Sequence, residues 1–443
     1  MYAAELPLDP STWSLRGTLT AVFSFEVLFV LFLFAGRIKA SPYMSWLPFD
    51  MTALFFVLSV IVAAFIGLTK KFNRRGFLIA AAMAAFVSWL VVSRLWTPGV
   101  IYAHQKSLYS VLAFWACAGA AVIIAADRAR VRRFLIGVVL IAIWFAIEAM
   151  FAYATSDRRY FVDISGTGYK GLSDAVACGA VIAFTTLISL RRQPVFALMM
   201  AELLVLFFWV ILVAGARQPL LGMTLVLFVA GVIGFRPAPG GIAYKRFQPA
   251  AWGIILAAVV ALAALILSET TTQTIARFQT LLFQEGGGAS AATRQEVWAL
   301  AIQFWGSAPF FGHGVGSFPI LYDWVGDSKV HPHNVVLEIL SELGLVGLVL
   351  FGTFAYLALR QVELRRIRED PLFRCIFLLV VLQISAAMVS SDVSEHRMLY
   401  SMLGLLALPE PRPLRQSATA RKAAPPRATR MSLGLRGHGR QRI

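Results

Sequence analysis

The chain has 443 residues, 59% of them apolar and only 14% charged, with a mean hydropathy of +0.73 and a formal net charge of +17. Its apolar runs repeatedly reach the roughly 20 residues that a bilayer demands, which excludes a soluble globular protein and makes this a polytopic membrane protein. The positive charge does not signal a nucleic-acid partner, because it lies in short clusters between apolar runs, where it marks the cytoplasmic side and meets anionic lipid.

The opening MYAAELPLDPSTWSLRG is mixed polar sequence, and the run after it is long enough to span, so no cleavable signal peptide is expected. Spans are predicted at about 18–36, 49–68, 76–96, 107–126, 134–154, 173–190, 195–214, 218–235, 249–268, 343–360, 372–390 and 396–408. The fold class read from this pattern is an all-α polytopic integral membrane protein of about twelve transmembrane helices. Basic clusters fall between alternate spans: Lys70, Lys71, Arg74 and Arg75, then Arg128, Arg130, Arg132 and Arg133, then Arg191 and Arg192, with others at Arg236, Lys245, Arg246 and Arg360 to Arg368. All land on one side, which places both termini in the cytoplasm. Cys117, Cys178 and Cys375 sit inside apolar runs and read as small packing residues.

Four regions follow. Residues 1–268 carry nine helices, 269–342 form a large outer-side loop between helices 9 and 10, 343–408 carry three helices, and 409–443 form a basic tail expected to be disordered. Within the large loop, TRQEVWALAIQFW has helical apolar spacing and a capping box from Thr293 to Glu296, and it reads as a helix lying along the membrane face. Trp298, Trp305 and Trp324 suit that interface. The turn-rich GHGVGSF should then bend the chain back. A two-half transporter would put its long loop at mid-chain, where this sequence has only the short RRQP, and no strong internal repeat is evident.

Chemistry gathers on the outer side. Of six histidines, His104, His313, His331, His333 and His396 fall there. The spacing of His331 and His333 across Pro332 matches no metal motif, so no metal is expected. In HPHN, Pro332 disfavours helix at His331, and Asn334 is placed to cap a helix starting at Val335, which holds His333 at the helix entrance. Neutral near pH 7, that imidazole is suited to take a proton from an attacking hydroxyl. Glu338 and Glu342 share a helical face, either as solvated positions or as groups that orient a histidine or hold a sugar. Gly344 and Gly347 allow close helix packing. In ILVAGARQPLLGMTLVL, Arg217 sits at an outer hairpin, where it either snorkels to headgroups or clamps a phosphate with its planar fork of donors. Arg294, Arg158, Arg159 and Lys170 add outer positive charge, a departure from the topology rule for which an anionic lipid headgroup is a good reason.

The Arg217 hairpin, the segment from Arg294 through GHGVGSF, and HPHNVVLEILSELGLVG together resemble the bacterial O-antigen ligase and O-antigen polymerase superfamily over roughly a quarter of the chain. The resemblance implies a GT-C-like membrane glycosyltransferase in the inner membrane, with its active site on the periplasmic face. It implies a glycan donor linked to undecaprenyl pyrophosphate and no cofactor. The acceptor is lipid A core in the ligase reading or another lipid-linked glycan in the polymerase reading, and a hydroxyl side chain in protein O-oligosaccharyltransferases. Carried over residue by residue, His333 matches the family's essential histidine, and Arg217 and Arg294 match arginines that bind pyrophosphate. His331, Asn334 and Glu338 are secondary candidates. A lipid-linked glycan transporter and a non-catalytic scaffold are the rivals from other classes, and neither needs a histidine poised at a helix start.

Overall fold

The computed structural model describes residues 6–8, 24–41, 44, 46–70, 72–123, 128–155, 168–190, 193–238, 241–243, 252–254, 256, 273–283, 289–322 and 326–411. These are helical throughout apart from turns, connecting segments and one hairpin, β1 Arg236–Ala238 paired antiparallel with β2 Gly241–Ala243. The main unit runs Ala4–Pro409, and of the remainder only residues 410 and 411 are described.

The helices in chain order are α1 Phe25–Ala40, α2 Met51–Thr69, α3 Arg74–Val92, α4 Ile101–Ala118, α5 Arg128–Thr155, α6 Gly168–Ser189, α7 Pro194–Ala214, α8 Arg217–Ile233, α9 Gln273–Phe283 and α10 Ala289–Ser307. There follow α11 Phe318–Leu321, α12 Val335–Leu359, α13 Leu364–Glu369, α14 Pro371–Ala387 and α15 Arg397–Leu405. Eleven of the twelve predicted spans overlap one of these helices, and the ninth, 249–268, lies largely outside the described residues, as do Arg158, Arg159, Trp324 and the tail from 412. By length and apolarity six of the described helices can cross a bilayer, namely α2, α3 with its short extension to Leu95, α5, α6, α7 and α12, while α8 and α14 are apolar but shorter.

Burial separates centre from rim. Most of α6 is buried, including Ala175, Cys178, Ile182 and Phe184, each fully covered by its neighbours. By contrast α2 exposes Val57, Ile61, Phe65 and Leu68, and an apolar face left uncovered along a span is the face offered to lipid. The two helices that meet between Ala214 and Arg217 turn at Gly215, whose φ of 88° is open to glycine at no steric cost. Arg217 therefore stands at the first position of α8.

The segment 289–346 departs from the expected layout. The helix around TRQEVW begins at Ala289, four residues ahead of Thr293, so Thr293 lies inside α10 and the capping box does not form. Val297 and Ala301 of α10 instead pack against Phe318, with Leu337 of α12 alongside. The HPHN helix starts where expected: Asn334 Oδ1 accepts from Val336 N at 3.0 Å and Leu337 N at 3.2 Å. It breaks at Gly344, at φ 64° and ψ −164°. A Cβ there would sit 2.4 Å from the Phe310 carbonyl oxygen, so only glycine fits. The backbone groups freed by the break bond to the preceding loop. Leu345 N donates to Pro309 O at 2.9 Å, Val346 N to Phe310 O at 3.1 Å, and Gly314 N to Glu342 O at 2.8 Å.

Candidate active site

A cavity of about 550 Å³ opens between the α7–α8 turn, α9, the start of α10, the start of α6 and the HPHN segment. Arg217, Arg294, His331 and His333 all line it, together with Lys170, Arg277, Trp298 and Tyr322. Among the described residues its wall carries four cationic side chains, Lys170, Arg217, Arg277 and Arg294, and no carboxylate. A low-dielectric hollow with that lining concentrates anions.

The arginines are held in place from behind. Arg217 donates to the Arg277 carbonyl at 3.3 Å, and Arg277 donates to the Gly215 carbonyl at 2.7 Å, which ties α9 to the α7–α8 turn. Thr274 strengthens the tie, its hydroxyl accepting from Gly215 N at 3.0 Å and donating to Ile211 O at 2.9 Å. Arg277 was not singled out in the sequence, where nothing in TTQTIARFQT marks it.

The HPHN segment is anchored along its length. Trp298 Nε1 donates to the Pro332 carbonyl at 2.9 Å. Upstream, Asp327 accepts from Val100 N at 2.8 Å, Ile101 N at 2.6 Å and Tyr102 N at 3.0 Å, capping α4 from 225 or more residues away. Those three amides pull its carboxyl below the ordinary value, against a burial effect working the other way. Lys329 pairs with Glu395. With both ends pinned, His333 holds a left-handed backbone at φ 55°, uncommon for a residue with a side chain.

The two imidazoles stand edge to face with centroids 4.3 Å apart. Burial pushes His333 down to about 4, helped by the nearby charges of Lys170 and Arg294. His331 is 7% exposed, and burial together with His333 pushes it well below its usual value, with Asp392 acting in opposition. Both rings are therefore neutral at pH 7. Neither ring nitrogen of His331, nor Nδ1 of His333, has a hydrogen-bond partner among the described residues.

Glu338 and Glu342 do not occupy solvated positions, and neither lines the cavity. Both are buried and clasp the fully buried ammonium of Lys106, on α4: Glu338 closely, and Glu342 at 2.7 Å. The other Glu338 oxygen accepts from Val393 N at 3.0 Å, and Glu342 also accepts from Gly316 N at 2.9 Å. Tyr102 donates to Asp392 at 3.0 Å, and Ser394 closes the loop around it. Burial works to raise the Asp392 carboxyl, but Lys106, His331 and Ser394 outweigh it and hold it at about 2. Lys106 and Asp392 went unread in the sequence. The remaining outer histidines disperse: His313 Nε2 meets Phe304 O and Ser307, and His104 faces Arg94. No three His, Cys, Asp or Glu side chains gather as a metal site among the described residues.

Comparison with known proteins gives a consistent picture. Residues 202–352 match the family model described as O-antigen ligase. An O-antigen ligase of Pseudomonas aeruginosa is 26% identical over 289 residues, 62% of this chain and 63% of that protein. A Rickettsia conorii protein named as a polysaccharide ligase is 34% identical over 87 residues, 17% of this chain and 21% of that protein. The chain thus spans less than two thirds of the length of either curated relative. The matched segment contains Arg217, Arg277, Arg294, His331 and His333, the greater part of the cavity's cationic and imidazole wall, so the part of the chain that is similar to the O-antigen ligase family is the part that builds the cavity.

Proposed function

We propose that the protein is a membrane glycosyltransferase of the bacterial inner membrane that moves a glycan from undecaprenyl pyrophosphate to an acceptor hydroxyl on the periplasmic face. The acceptor in this reading is lipid A core, the acceptor that the sequence resemblance implies. The observation that carries the reading is the convergence of four cations and a neutral imidazole, with no carboxylate among the described residues, around one cavity.

In this reading Arg217 and Arg294 hold the pyrophosphate, with Arg277 and Lys170 adding to the field. His333 accepts the proton of the acceptor hydroxyl while that oxygen attacks the anomeric carbon. The bond from that carbon to the phosphate oxygen breaks as the new one forms, so configuration inverts. Charge growing on the departing phosphate is met by preorganised guanidinium groups in a partly desolvated site, where such contacts count for more than in water. The donor also activates the base. Burial depresses His333 most, and Lys170 and Arg294 add to it; a bound dianion offsets the two charges, raising the basicity of the imidazole when substrate is present.

The test is a gel comparison of glycans in a strain lacking the gene, complemented with wild type, Arg217→Lys or His333→Ala. Loss of surface-linked glycan with long chains accumulating on the carrier lipid supports the ligase reading, and the lysine fails because a point charge does not replace a bidentate fork. Single repeat units alone would assign a polymerase instead. Wild-type glycan from both variants would sink the catalytic reading and favour a transporter.

A further inference from the structure

A second, smaller cavity abuts the first. Lys170, Gln218 and Ser390 line both. Beyond them lies a space of about 80 Å³ walled by Arg37, Asp174, Gln383, Glu395, His396 and Arg397. A space of that size holds a few waters, enough for one edge of a small polar molecule and not a whole oligosaccharide.

Its chemistry differs from that of the larger cavity. Asp174 accepts from Arg37 at 3.3 Å and from Gln383 at 3.0 Å, and Glu395 pairs with Lys329, so both carboxylates are already compensated. Hydrogen-bonding capacity is left over. His396 is 6% exposed, and its Nε2 has no partner among the described residues; nor has the buried Nε2 of Gln218 in the shared wall. A buried polar atom without a partner is costly unless a ligand or water meets it. The wall is mixed in charge, with Lys170, Arg37 and Arg397 beside Asp174 and Glu395, and a sugar hydroxyl, which both donates and accepts, suits such a lining of carboxylate, amide, imidazole and hydroxyl.

We propose that this second cavity is the subsite for the hydroxyl-bearing edge of the acceptor sugar, set across Lys170 and Gln218 from the pyrophosphate pocket. The assignment to an acceptor rests on the transfer reading above. An inverting displacement brings the nucleophile from the side away from the leaving group, and a polar, uncharged-ligand site next to an anion site meets that demand. His396 is then a binding residue for the acceptor, and Gln218 contacts both substrates.

The test uses the full-length protein in lipid nanodiscs. Inorganic pyrophosphate binding is measured by calorimetry, and binding of a panel of neutral gluco-, galacto- and N-acetylglucosamine oligosaccharides by ligand-observed NMR. At least one sugar should saturate, with affinity falling about tenfold in His396→Ala, as expected for one or two lost hydrogen bonds, and partly recovered in His396→Gln. Pyrophosphate binding should be unchanged in His396→Ala and weakened in Arg217→Lys, which also shows that the histidine variant is folded. Three results would overturn the subsite: no saturable sugar, equal sugar binding by wild type and His396→Ala, or weaker pyrophosphate binding in His396→Ala. Competition between the sugar and a lipid-linked donor would overturn the acceptor assignment in favour of the donor glycan. Failure of the transfer reading appears separately, as wild-type glycan transfer by His333→Ala with sugar binding intact.

Discussion

Replacing Lys106 with methionine should destabilise the protein more than almost any other single change near the site. The ammonium is the cation bonded to both Glu338 and Glu342, and the three side chains are 0 to 2% exposed. Methionine preserves the apolar stem and much of the volume, so the change isolates the charge. Removing one partner of a buried ion pair costs about 3–5 kcal/mol, because the partner is left charged without compensation. Here two carboxylates are stranded, yet one of them retains Gly316 N and the other Val393 N. Proton uptake by a carboxyl also gives partial relief, so the lower end, about 3 kcal/mol, is expected. Unfolding in mixed micelles followed by far-UV circular dichroism measures it. Adding Glu342→Gln to Lys106→Met should restore about 1 kcal/mol or more by removing a stranded charge. A loss below about 1 kcal/mol for the single variant, or a further loss in the double variant, would refute the view that this cluster is held by charge compensation.

Two further predictions concern the cavity and the loop that supports it. The acid limb of kcat/KM, which reports the free enzyme, should lie near pH 4, since His333 is depressed from its ordinary value. The limb of kcat should lie higher, since bound pyrophosphate offsets Lys170 and Arg294. Coincident limbs near pH 6.5 would contradict both statements. Gly344→Ala should destabilise by about 2 kcal/mol or more, given the left-handed backbone and the 2.4 Å approach to the Phe310 carbonyl; an unchanged unfolding midpoint would show that the break relaxes.

What could be read from the sequence was local. The helix start at Asn334 follows from Pro332 and the capping side chain, and the placing of Arg217 follows from two apolar runs meeting at a glycine. The cavity's lining brings Arg217, Arg294, His331 and His333 together from three separated stretches whose motifs were each visible. Lys106 was not, because its partners lie 232 and 236 residues away and a lysine at the mouth of a span reads as a topology signal. For the same reason the sequence left Glu338 and Glu342 between solvated positions and groups that orient a histidine or hold a sugar: the i, i+4 pattern shows that they share a face but not what covers it. Asp327 capping α4 and Arg277 bonding Gly215 are likewise long-range pairings that no spacing announces. The capping box at Thr293 does not form because the helix already runs from Ala289, and the contacts of Val297 and Ala301 with Phe318 do not depend on where it starts.

The break in α12 bears on the order in which the chain is made. Residues 309–314 leave the ribosome before 341–346, so the loop groups that will meet the freed amides and carbonyls already exist when the broken stretch reaches the membrane. A helix broken at the mouth of a span would otherwise leave bare peptide groups as it is buried, at a cost of roughly a few kcal/mol each. Synthesis from the amino end thus supplies the template first and the segment that needs it second. A circular permutant that reversed this order should insert poorly even with every side chain unchanged.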